Sequence, residues 1–309
     1  MIQNLFNRLL QGLVVLFVLF TVTFFLVKSM PGGPFDADKK IPSHIKAKIE
    51  AYYGLDQPVR VQYLRQLSNY FKGDPGLSLR MEGRPVTEII GQAFPVSLQL
   101  GVVAMIIALM IGIPAGCIAA ARRNGLLDVG SMSVAMIGIC LPSFVIGPIL
   151  AETFGRNLKW FPAMGWNASS PQTWVLPALT LGLVTAAYLS RLTRAGMIET
   201  LSQDFVRTAK AKGVPGWKIL IRHCLRGGLI PAVAYIGPAF AGIISGSVVI
   251  ETIFQIPGLG RHFIKAIETR DAPVITGVVL LYGTLVILAN LFTDLVGLWL
   301  NPRLRSGKN

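Results

Sequence analysis

The chain has 309 residues, of which 52% are hydrophobic and only 14% are charged, and its mean hydropathy is +0.58. This composition excludes an ordinary soluble domain and is typical of a protein that crosses a membrane several times. The net charge of +14 could indicate nucleic-acid binding, but the basic residues lie between long apolar runs, which favours a membrane protein. Cys117, Cys140 and Cys224 are too far apart in sequence to indicate a metal site or a redox pair.

The first predicted element is a membrane-spanning helix within residues 1–30. Leu9 to Val27 is an apolar run long enough to cross about 30 Å of hydrocarbon. A signal peptide would have a similar amino-terminal pattern, but no small-residue cleavage site follows this run. We therefore expect an uncleaved first transmembrane helix.

A polar insert follows at residues 31–93, where nine basic residues are offset by seven acidic ones. Two short helices are predicted, one that starts after Ser43 and stops at Gly54, and a second over residues 60–71. The sequence Gly73-Asp74-Pro75-Gly76 then predicts a turn. The insert is too small and too poor in apolar residues for an enzyme domain of its own, so we interpret it as a helical cap.

The core of the protein is predicted at residues 94–301 and holds five further membrane spans, followed by a tail at residues 302–309. Pro142 and Pro148 lie inside the third span, which favours a position beside a pathway, although packing alone would also explain them. The five spans are predicted at residues 94–121, 129–153, 174–189, 229–250 and 274–300.

The longest polar interruption in the second half of the chain runs from Asp204 to Pro231. Gly213 and Pro215 predict two short helices here, because glycine tolerates a left-handed helix cap and proline suits the start of a helix. A period of 3.6 residues places four residues on one side of the first helix: Phe205, Val206, Ala209 and Gly213. The same period gives the second helix an apolar stripe of Trp217, Leu220, Ile221 and Cys224.

This loop and its flanks are strongly basic. An amphipathic helix of this kind could lie on anionic lipid, or it could insert into a groove of a partner protein. Composition alone favours the lipid interpretation. The eight basic residues are Arg191, Arg194, Arg207, Lys210, Lys212, Lys218, Arg222 and Arg226.

The order of residues in the loop favours the partner. It resembles the cytoplasmic loop of ABC importer permeases, which begins Glu-Ala-Ala, has a glycine six residues after the glutamate, and ends in Ile-x-Leu-Pro or a variant. Here Arg207, Thr208 and Ala209 occupy the first three positions, Gly213 is the glycine, and Ile230-Pro231 form the end. The replacement of the acidic residue and the first alanine resembles the oligopeptide and dipeptide permease branch.

Three other segments also resemble that branch: PGGPFD with YGLDQPVRVQYLRQL, then GDPGLSLR, and finally ETIFQIPGLGRHFIKAIETRDA. The resemblance thus covers nearly the whole chain. It implies an all-α, six-helix type I ABC importer permease fold with a small periplasmic helical insert, and a coupling loop at residues 196–228. The residues that it implies for coupling to an ATPase are Phe205, Val206, Arg207, Thr208, Ala209, Gly213, Ile230 and Pro231.

The resemblance also implies partners: a second homologous permease, two ABC ATPase subunits, and a periplasmic or lipid-anchored peptide-binding protein. No GxxxxGK[ST] segment is present, so we expect ATP and Mg²⁺ to bind to the partner ATPases, with no cofactor in this chain. Peptides are the expected substrate, and nickel, opines and sugars are alternatives within the same family. The residues that contact substrate are not predicted.

The distribution of Lys and Arg predicts the orientation in the cytoplasmic membrane. The side that holds both termini and the Asp204–Pro231 loop collects 14 basic residues, and the short loops on the other side hold five. Since cytoplasmic loops carry the excess of Lys and Arg, both termini and the loop are predicted to be cytoplasmic. The insert then lies outside the cytoplasm.

Two other classes of protein remain as alternatives. A stand-alone secondary transporter would have ionisable groups or broken helices at mid-membrane, and a membrane enzyme would have a convergent reactive set. Acidic residues near the membrane are few, namely Glu152, Glu251 and Asp294, and they lie toward the ends of the predicted spans. We therefore expect them to reach the membrane surface or to cap helices. For Asp294, the deepest of the three, a structural pairing and a proton role are alternatives. We also expect a transport subunit that is not itself an enzyme.

Overall fold

The computed structural model describes residues 2–30, 54–81 and 83–300. All the regular elements of these residues are helical, and their one β contact is an isolated bridge between Leu77 and Pro85, which confirms the all-α class. The helices are α1 (Ile2–Ser29), α2 (Val59–Phe71), α3 (Val86–Ala121), α4 (Leu126–Cys140), α5 (Ser143–Leu150), α6 (Gln172–Leu201), α7 (Asp204–Ala211), α8 (Gly216–Lys218), α9 (Leu225–Gly228), α10 (Ile230–Ile253), α11 (Leu259–Thr269) and α12 (Ala272–Leu300), with π-helical segments at Ala151–Asn157 and Ile219–Cys224.

Five of these helices are long and apolar enough to cross a membrane: α1, α3, α6, α10 and α12. A sixth span is present if α4 and the segment Ser143–Asn157 count as one broken span. The five or six candidate spans agree with the predicted architecture. The helix predicted after Ser43 and the carboxyl-terminal tail lie outside the described residues.

The third span differs from the single helix predicted at residues 129–153. The chain breaks between Cys140 and Ser143, and the two halves meet at an angle of 103°. Pro142 causes the break, because it cannot donate a backbone hydrogen bond and its ring disfavours a helical residue before it. Leu141 is accordingly extended, with φ −83° and ψ 120°. Pro148, in contrast, lies inside α5.

The fourth span is longer than the predicted 174–189. Helix α6 continues through Arg191 and Arg194 to Leu201 without a break. The two arginines did not end the helix because arginine is a good helix former. The predicted loop at residues 196–228 therefore begins as helix, and the first residue after α6 is Ser202.

One compact unit comprises residues 97–256 and 285–300 of the described chain, and α6 runs through its centre against α4, α5 and α10. Small residues bring α3 and α6 together. A Cβ atom added to Gly112 would lie 2.6 Å from the Ala186 carbonyl oxygen, and one added to Gly116 would lie 2.5 Å from the Ser190 carbonyl oxygen. The two backbones are therefore in direct contact, as small residues allow in membrane helices.

The other compact unit comprises residues 2–96 and 257–284, with gaps at the residues that are not described. Its core joins the start of α3 to α11 and α12 through buried side chains. The carboxylate of Asp271 is also buried, and it accepts hydrogen bonds from the Ser78 hydroxyl and from the Leu79 N–H, at 3.1 Å for the latter. The buried residues of this core are Val86, Ile89, Ala93, Leu259, Ala266, Val274, Ile275 and Val278.

The described part of the polar insert belongs to this second unit. Helix α2 packs on α1 through aromatic rings, with Tyr63 5.6 Å from Phe20 and 5.3 Å from Phe24 between ring centroids. The Thr21 and Tyr63 hydroxyls lie 2.9 Å apart and share a hydrogen bond. The predicted second helix and the turn at residues 73–76 are both present, since Gly73 and Gly76 have positive φ.

Candidate functional site

The predicted site centres on α7, a short helix with a clear beginning. Gln203 is extended, with φ −74° and ψ 155°, and helical geometry starts at Asp204. The Asp204 carboxylate lies in the first turn, where the partial positive charge of the helix terminus favours an anion. Arg207 lies 3.7 Å from it, but both side chains are exposed, so this ion pair contributes little to stability.

The end of α7 is formed by Gly213, as the sequence predicted. Its φ is +76°, and the Gly213 N–H donates to the Lys210 carbonyl at 2.9 Å while the Val214 N–H donates to the Ala209 carbonyl at 3.1 Å. These two hydrogen bonds define a Schellman motif, in which the left-handed residue satisfies the last free carbonyl groups of a helix. Val214 and Ala209 also pack into the same apolar cluster, which completes the motif.

The orientation of α7 differs from the prediction that Val206 and Ala209 face a partner. Val206 is only 1% exposed and packs in a cluster with Met197 of α6, and Ala209 packs against that cluster. A short amphipathic helix buries its apolar stripe against the nearest apolar surface, and here that surface belongs to the same chain. The residues on the outer side of α7 are instead Phe205, Arg207, Thr208 and Lys210, all exposed.

The second half of the loop also turns differently from the predicted stripe. Ile219 and Cys224 are buried, whereas Trp217 is 63% exposed and Ile221 is 59% exposed. The segment Ile219–Cys224 is π-helical, so its hydrogen bonds close over five residues and side chains five apart share a side. A 3.6-residue period could not predict this. Burial raises the pKa of the Cys224 thiol, which indicates an inert thiol rather than a reactive one.

The loop returns to α6 through a contact between backbones. A Cβ atom added to Gly196 would lie 2.3 Å from the Gly228 carbonyl oxygen and 3.1 Å from the Pro231 ring. A Cβ atom added to Gly228 would lie 2.3 Å from the sulfur of Met197. Because nothing larger than hydrogen fits there, the loop and the start of α10 are fixed on the last turns of α6.

The surface that results is basic with exposed apolar residues. Phe205, Trp217 and Ile221 are exposed large apolar side chains, and the Lys218 Nζ lies 5.5 Å from the centre of the Trp217 ring. Exposed apolar residues rimmed by charge are typical of protein interaction sites. Phe205 also lines a cavity of about 420 Å³, whose other walls include Gln203, Glu199, His223, Arg226, Ile230 and Pro231.

The structure thus brings the predicted coupling residues together at one end of α6. Five of them lie on α7, Gly213 forms its cap, and Ile230 and Pro231 begin α10 beside Phe205. Their contact with a partner stays a prediction. Within this set, Val206 supports the fold and the neighbouring exposed residues form the outer surface.

Besides Asp271, two acidic side chains of the described residues are buried, one that sequence reasoning did not single out and one that it placed wrongly. Asp128 at the start of α4 is buried and pairs with Arg194 of α6. Glu251 is also fully buried and accepts hydrogen bonds from the Ser97 hydroxyl at 2.6 Å and from the Ser247 hydroxyl at 2.8 Å, so the expectation that it reaches the membrane surface is wrong. The sequence did contain a sign of the Asp128–Arg194 pair, namely one acidic and one basic residue in separate apolar helices. Charges inside a membrane protein tend to pair.

A second cavity of about 1040 Å³ lies in the same unit as these two groups. Helix α4 contributes Met132 and Met136, α6 contributes Tyr188 and Arg191, and α10 contributes Tyr235. The ring centroids of Tyr188 and Tyr235 lie 5.9 Å apart. Its lining is mainly apolar and aromatic, and it also includes the charged side chains of Asp128, Arg191 and Arg194. Apolar walls with a few polar groups are typical of a path or site for an organic molecule.

The fold is shared with chains of ABC transporters of known structure. A chain of the MetNI methionine ABC transporter in an inward-facing conformation superimposes with a TM-score of 0.61 at 16% identity, over 71% of this chain and 99% of that one. A chain of an amino acid ABC transporter crystallised with histidines gives a TM-score of 0.53 at 13% identity, over 68% and 94% of the two chains. At such low identity, the likeness establishes the fold alone.

Sequence comparison is more specific. The oligopeptide transport system permease protein OppB of Haemophilus influenzae is 41% identical over 99% of this chain and 100% of its own length. OppB of Escherichia coli K12 is 39% identical over the same shares, and the dipeptide transport system permease protein DppB of Bacillus subtilis is 41% identical over 94% of both chains.

Two family descriptions account for most of the sequence. Residues 1–95 match the amino-terminal family of binding-protein-dependent transport system membrane components. Residues 112–306 match the family described as "Binding-protein-dependent transport system inner membrane component". These matches agree with the helical architecture and the candidate membrane spans. They also agree with the OppB relatives, whose similarity extends over their full length. This chain therefore belongs to the family of inner membrane components of binding-protein-dependent transport systems.

Proposed function

We propose that the chain is a transmembrane permease subunit of an ATP-binding-cassette importer that moves peptides across the cytoplasmic membrane. The names of the relatives, oligopeptide and dipeptide permeases at 39–41% identity, support a peptide substrate. The cavity of about 1040 Å³, with methionine and tyrosine side chains on its walls, suits substrates with varied side chains. Nickel, one of the alternative substrates, would need ligating groups, and no group of three or more His, Cys, Asp or Glu residues that could hold a metal ion occurs among the described residues.

The observation that carries the proposal is the attachment of α7 to the spans. Val206 is buried against α6, and Gly228 contacts Gly196 of α6 through the backbone. A force applied to the outer side of α7 therefore acts on α6 and α10 instead of bending a flexible loop. We assign this outer side, with Phe205 and Arg207, as the contact with a partner ATPase.

The remaining parts of the transporter are then supplied by other chains. A second homologous permease completes the pathway, two ATPase subunits bind ATP and Mg²⁺, and a periplasmic or lipid-anchored binding protein delivers the peptide. The absence of a phosphate-binding loop from the sequence supports this division of roles. The chain acts by alternating access, with both termini and the loop in the cytoplasm, as the distribution of Lys and Arg supports.

Reconstitution into vesicles tests this function. With the second permease, the ATPases and the binding protein present, a labelled tripeptide should accumulate only when ATP is supplied on the side of the ATPases. The chain alone should neither hydrolyse ATP nor move the tripeptide. Uptake by the chain alone, driven by an ion gradient, would contradict the proposal and favour a secondary transporter.

A further inference from the structure

The carboxylate of Asp128, near the loop, accepts three hydrogen bonds. The coupling site described above does not explain why an acidic side chain is held so firmly at this position. The residue is 2% exposed. Its carboxylate accepts one hydrogen bond from the Arg194 Nε at 2.5 Å and another from the Arg194 Nη2 at 2.8 Å. A third comes from the backbone N–H of Asn124 at 2.8 Å. Two parallel bonds from one guanidinium fix the angle between the groups as well as their distance.

These bonds join three elements of one compact unit. Asn124 has a left-handed backbone, with φ +63°, and lies in the turn between α3 and α4. Asp128 lies in the first turn of α4, the first half of the bent pair of helices. Arg194 lies on α6 between two contact points. Ser190, which precedes it, contacts α3, and Gly196, which follows it, contacts the loop. The carboxylate therefore links α4 to the part of α6 that holds the loop.

Stability alone is a weak explanation for such a pair. Asp128 is buried and the Arg194 side chain is 28% exposed, so the pair is only partly shielded from water. Removing a charge from water costs desolvation energy that the attraction between the partners often only balances. What a bidentate pair adds is a fixed relation between two helices. That relation matters at this place, because α4 and α6 contribute Met132, Met136 and Tyr188 to the cavity of about 1040 Å³.

We propose that Asp128 and Arg194 are positioning residues of the transport cycle, which make α4 follow α6 when a partner displaces the α7 loop. The proposal rests on the proposed function, since it takes α7 as the place where the ATPases act. In this mechanism α6 transmits the displacement and the ion pair transfers it to α4. The walls of the cavity then move together, and ATP hydrolysis is converted into passage of the peptide.

The test compares hydrolysis with uptake in the fully assembled transporter in vesicles. Asp128→Asn keeps the size of the side chain and removes its charge. We expect peptide uptake per ATP hydrolysed to fall by about tenfold, with hydrolysis by the assembled complex nearly unchanged. Arg194→Lys keeps the charge but loses the two parallel bonds. Its uptake per ATP hydrolysed should therefore lie between those of the parent and Asp128→Asn. The exchange Asp128→Arg with Arg194→Asp should restore part of the ratio.

Glu152→Gln is the matched control. It also removes a carboxylate that pairs with an arginine, since Glu152 lies 3.3 Å from Arg156, but both of these side chains are exposed. Its ratio of uptake to hydrolysis should equal that of the parent, because exposed ion pairs contribute little.

Two results would overturn the proposal. One is a parental ratio in Asp128→Asn. The other is a loss of uptake and hydrolysis in the same proportion as the amount of assembled complex, which would make the pair a structural feature only. If Asp128→Asn fails to assemble, Arg194→Lys decides in its place, because it keeps both charges and the Asn124–Asp128 hydrogen bond and removes only the two parallel bonds. A parental ratio in an assembled Arg194→Lys complex would contradict the proposal.

A second readout does not depend on transport. Spin labels at Met136 of α4 and Ala195 of α6, in a cysteine-free background, report the distance between the two helices. We expect a broader distance distribution in Asp128→Asn than in the parent, and an unchanged distribution would overturn the link. A parental complex that hydrolyses ATP without moving peptide would instead contradict the proposed function, while the label distances still test the pair.

Discussion

Gly213 shows how one residue shapes the surface of the loop. Its φ of +76° is a conformation that other residues adopt only at a cost, and it lets two backbone N–H groups turn back onto α7. A Cβ atom at this position would meet nothing within 4 Å, so the constraint comes from the backbone and not from crowding. The residue is exposed, which separates its effect on the helix end from packing inside the chain.

Gly213→Asp should therefore weaken coupling more than folding. The left-handed backbone costs a residue with a Cβ atom about 1 kcal/mol or more, which loosens the end of α7. We expect near-normal abundance in the membrane, loss of the ATPase subunits on extraction with detergent, and loss of peptide uptake. Gly216→Asp, in the same loop and in open space at a negative φ, is the control and should retain both. Retention of the ATPases and full uptake in Gly213→Asp would remove the role assigned to this cap.

His262 predicts a pH dependence in the other unit. Burial lowers the pKa of this imidazole, and Arg84, Lys265 and Arg261 lower it further. A folded pKa below the unfolded value means that the unfolded chain binds more protons, so stability falls as the pH decreases below about 6.5. Melting temperatures in detergent between pH 7.5 and pH 5 should decrease less for His262→Gln than for the parent. If the melting temperatures of the parent and of His262→Gln decrease equally over this pH range, His262 is not the source of the pH dependence.

At the scale of elements, α6 is held by close contacts along its length. Gly112 and Gly116 of α3 pack against Ala186 and Ser190 with no room for a methyl group. The close approach of the α3 and α6 backbones explains why these glycines lie in a long helix, where glycine is otherwise unfavourable. The same helix then carries Arg194 and Gly196, so contacts with α3, α4 and the loop follow one another over about three turns.

Gly116→Leu should separate α3 from α6. The added side chain would collide with the Ser190 carbonyl and with Thr193, and overpacking of this kind costs about 1–3 kcal/mol or more. We expect a clear decrease in the amount of folded protein, measured by fluorescence-detected size exclusion. Gly242→Leu, on α10 with nothing within 4 Å of an added Cβ atom, should stay near the parental amount. Equal losses in both variants would show that the contact is not specific.

The two sides of α7 should give opposite results. Val206→Asp places a charge in a buried apolar cluster, so we expect misfolding and low abundance. Phe205→Asp changes an exposed side chain, so abundance should stay normal while the ATPases no longer co-purify. Abundance and co-purification can be measured in one tagged preparation. Loss of the ATPases from a stable Val206→Asp protein would restore the predicted orientation of the helix.

Sequence patterns predicted elements better than their orientations. The apolar runs predicted the spans, and Gly213 predicted its own cap, because both depend on local chemistry. The side on which Val206 lies and the π-helical turn at Ile219–Cys224 depend on tertiary packing, which a 3.6-residue period does not contain. Likewise, the sharp bend at Pro142 exceeds an ordinary proline kink, and the Asp128–Arg194 pair joins residues that are distant in sequence.

For the whole molecule, the proposed function depends on the orientation in the membrane. The α7 loop reaches the ATPases only if it lies in the cytoplasm. The excess of Lys and Arg, 14 residues against five, supports this orientation. The bend in the third span does not change the predicted topology if its two halves count as one broken span.

Cysteine labelling tests the orientation directly. In a background without Cys117, Cys140 and Cys224, single cysteines are introduced at Ser68 of α2 or at Lys210 of α7, which are both exposed. A maleimide that cannot cross the membrane should label Ser68→Cys in intact cells, with the outer membrane permeabilised where one is present. It should label Lys210→Cys only after lysis. The opposite pattern would place the loop outside the cytoplasm, where no ATPase could act on it, and would contradict the proposed function and the role of the ion pair together.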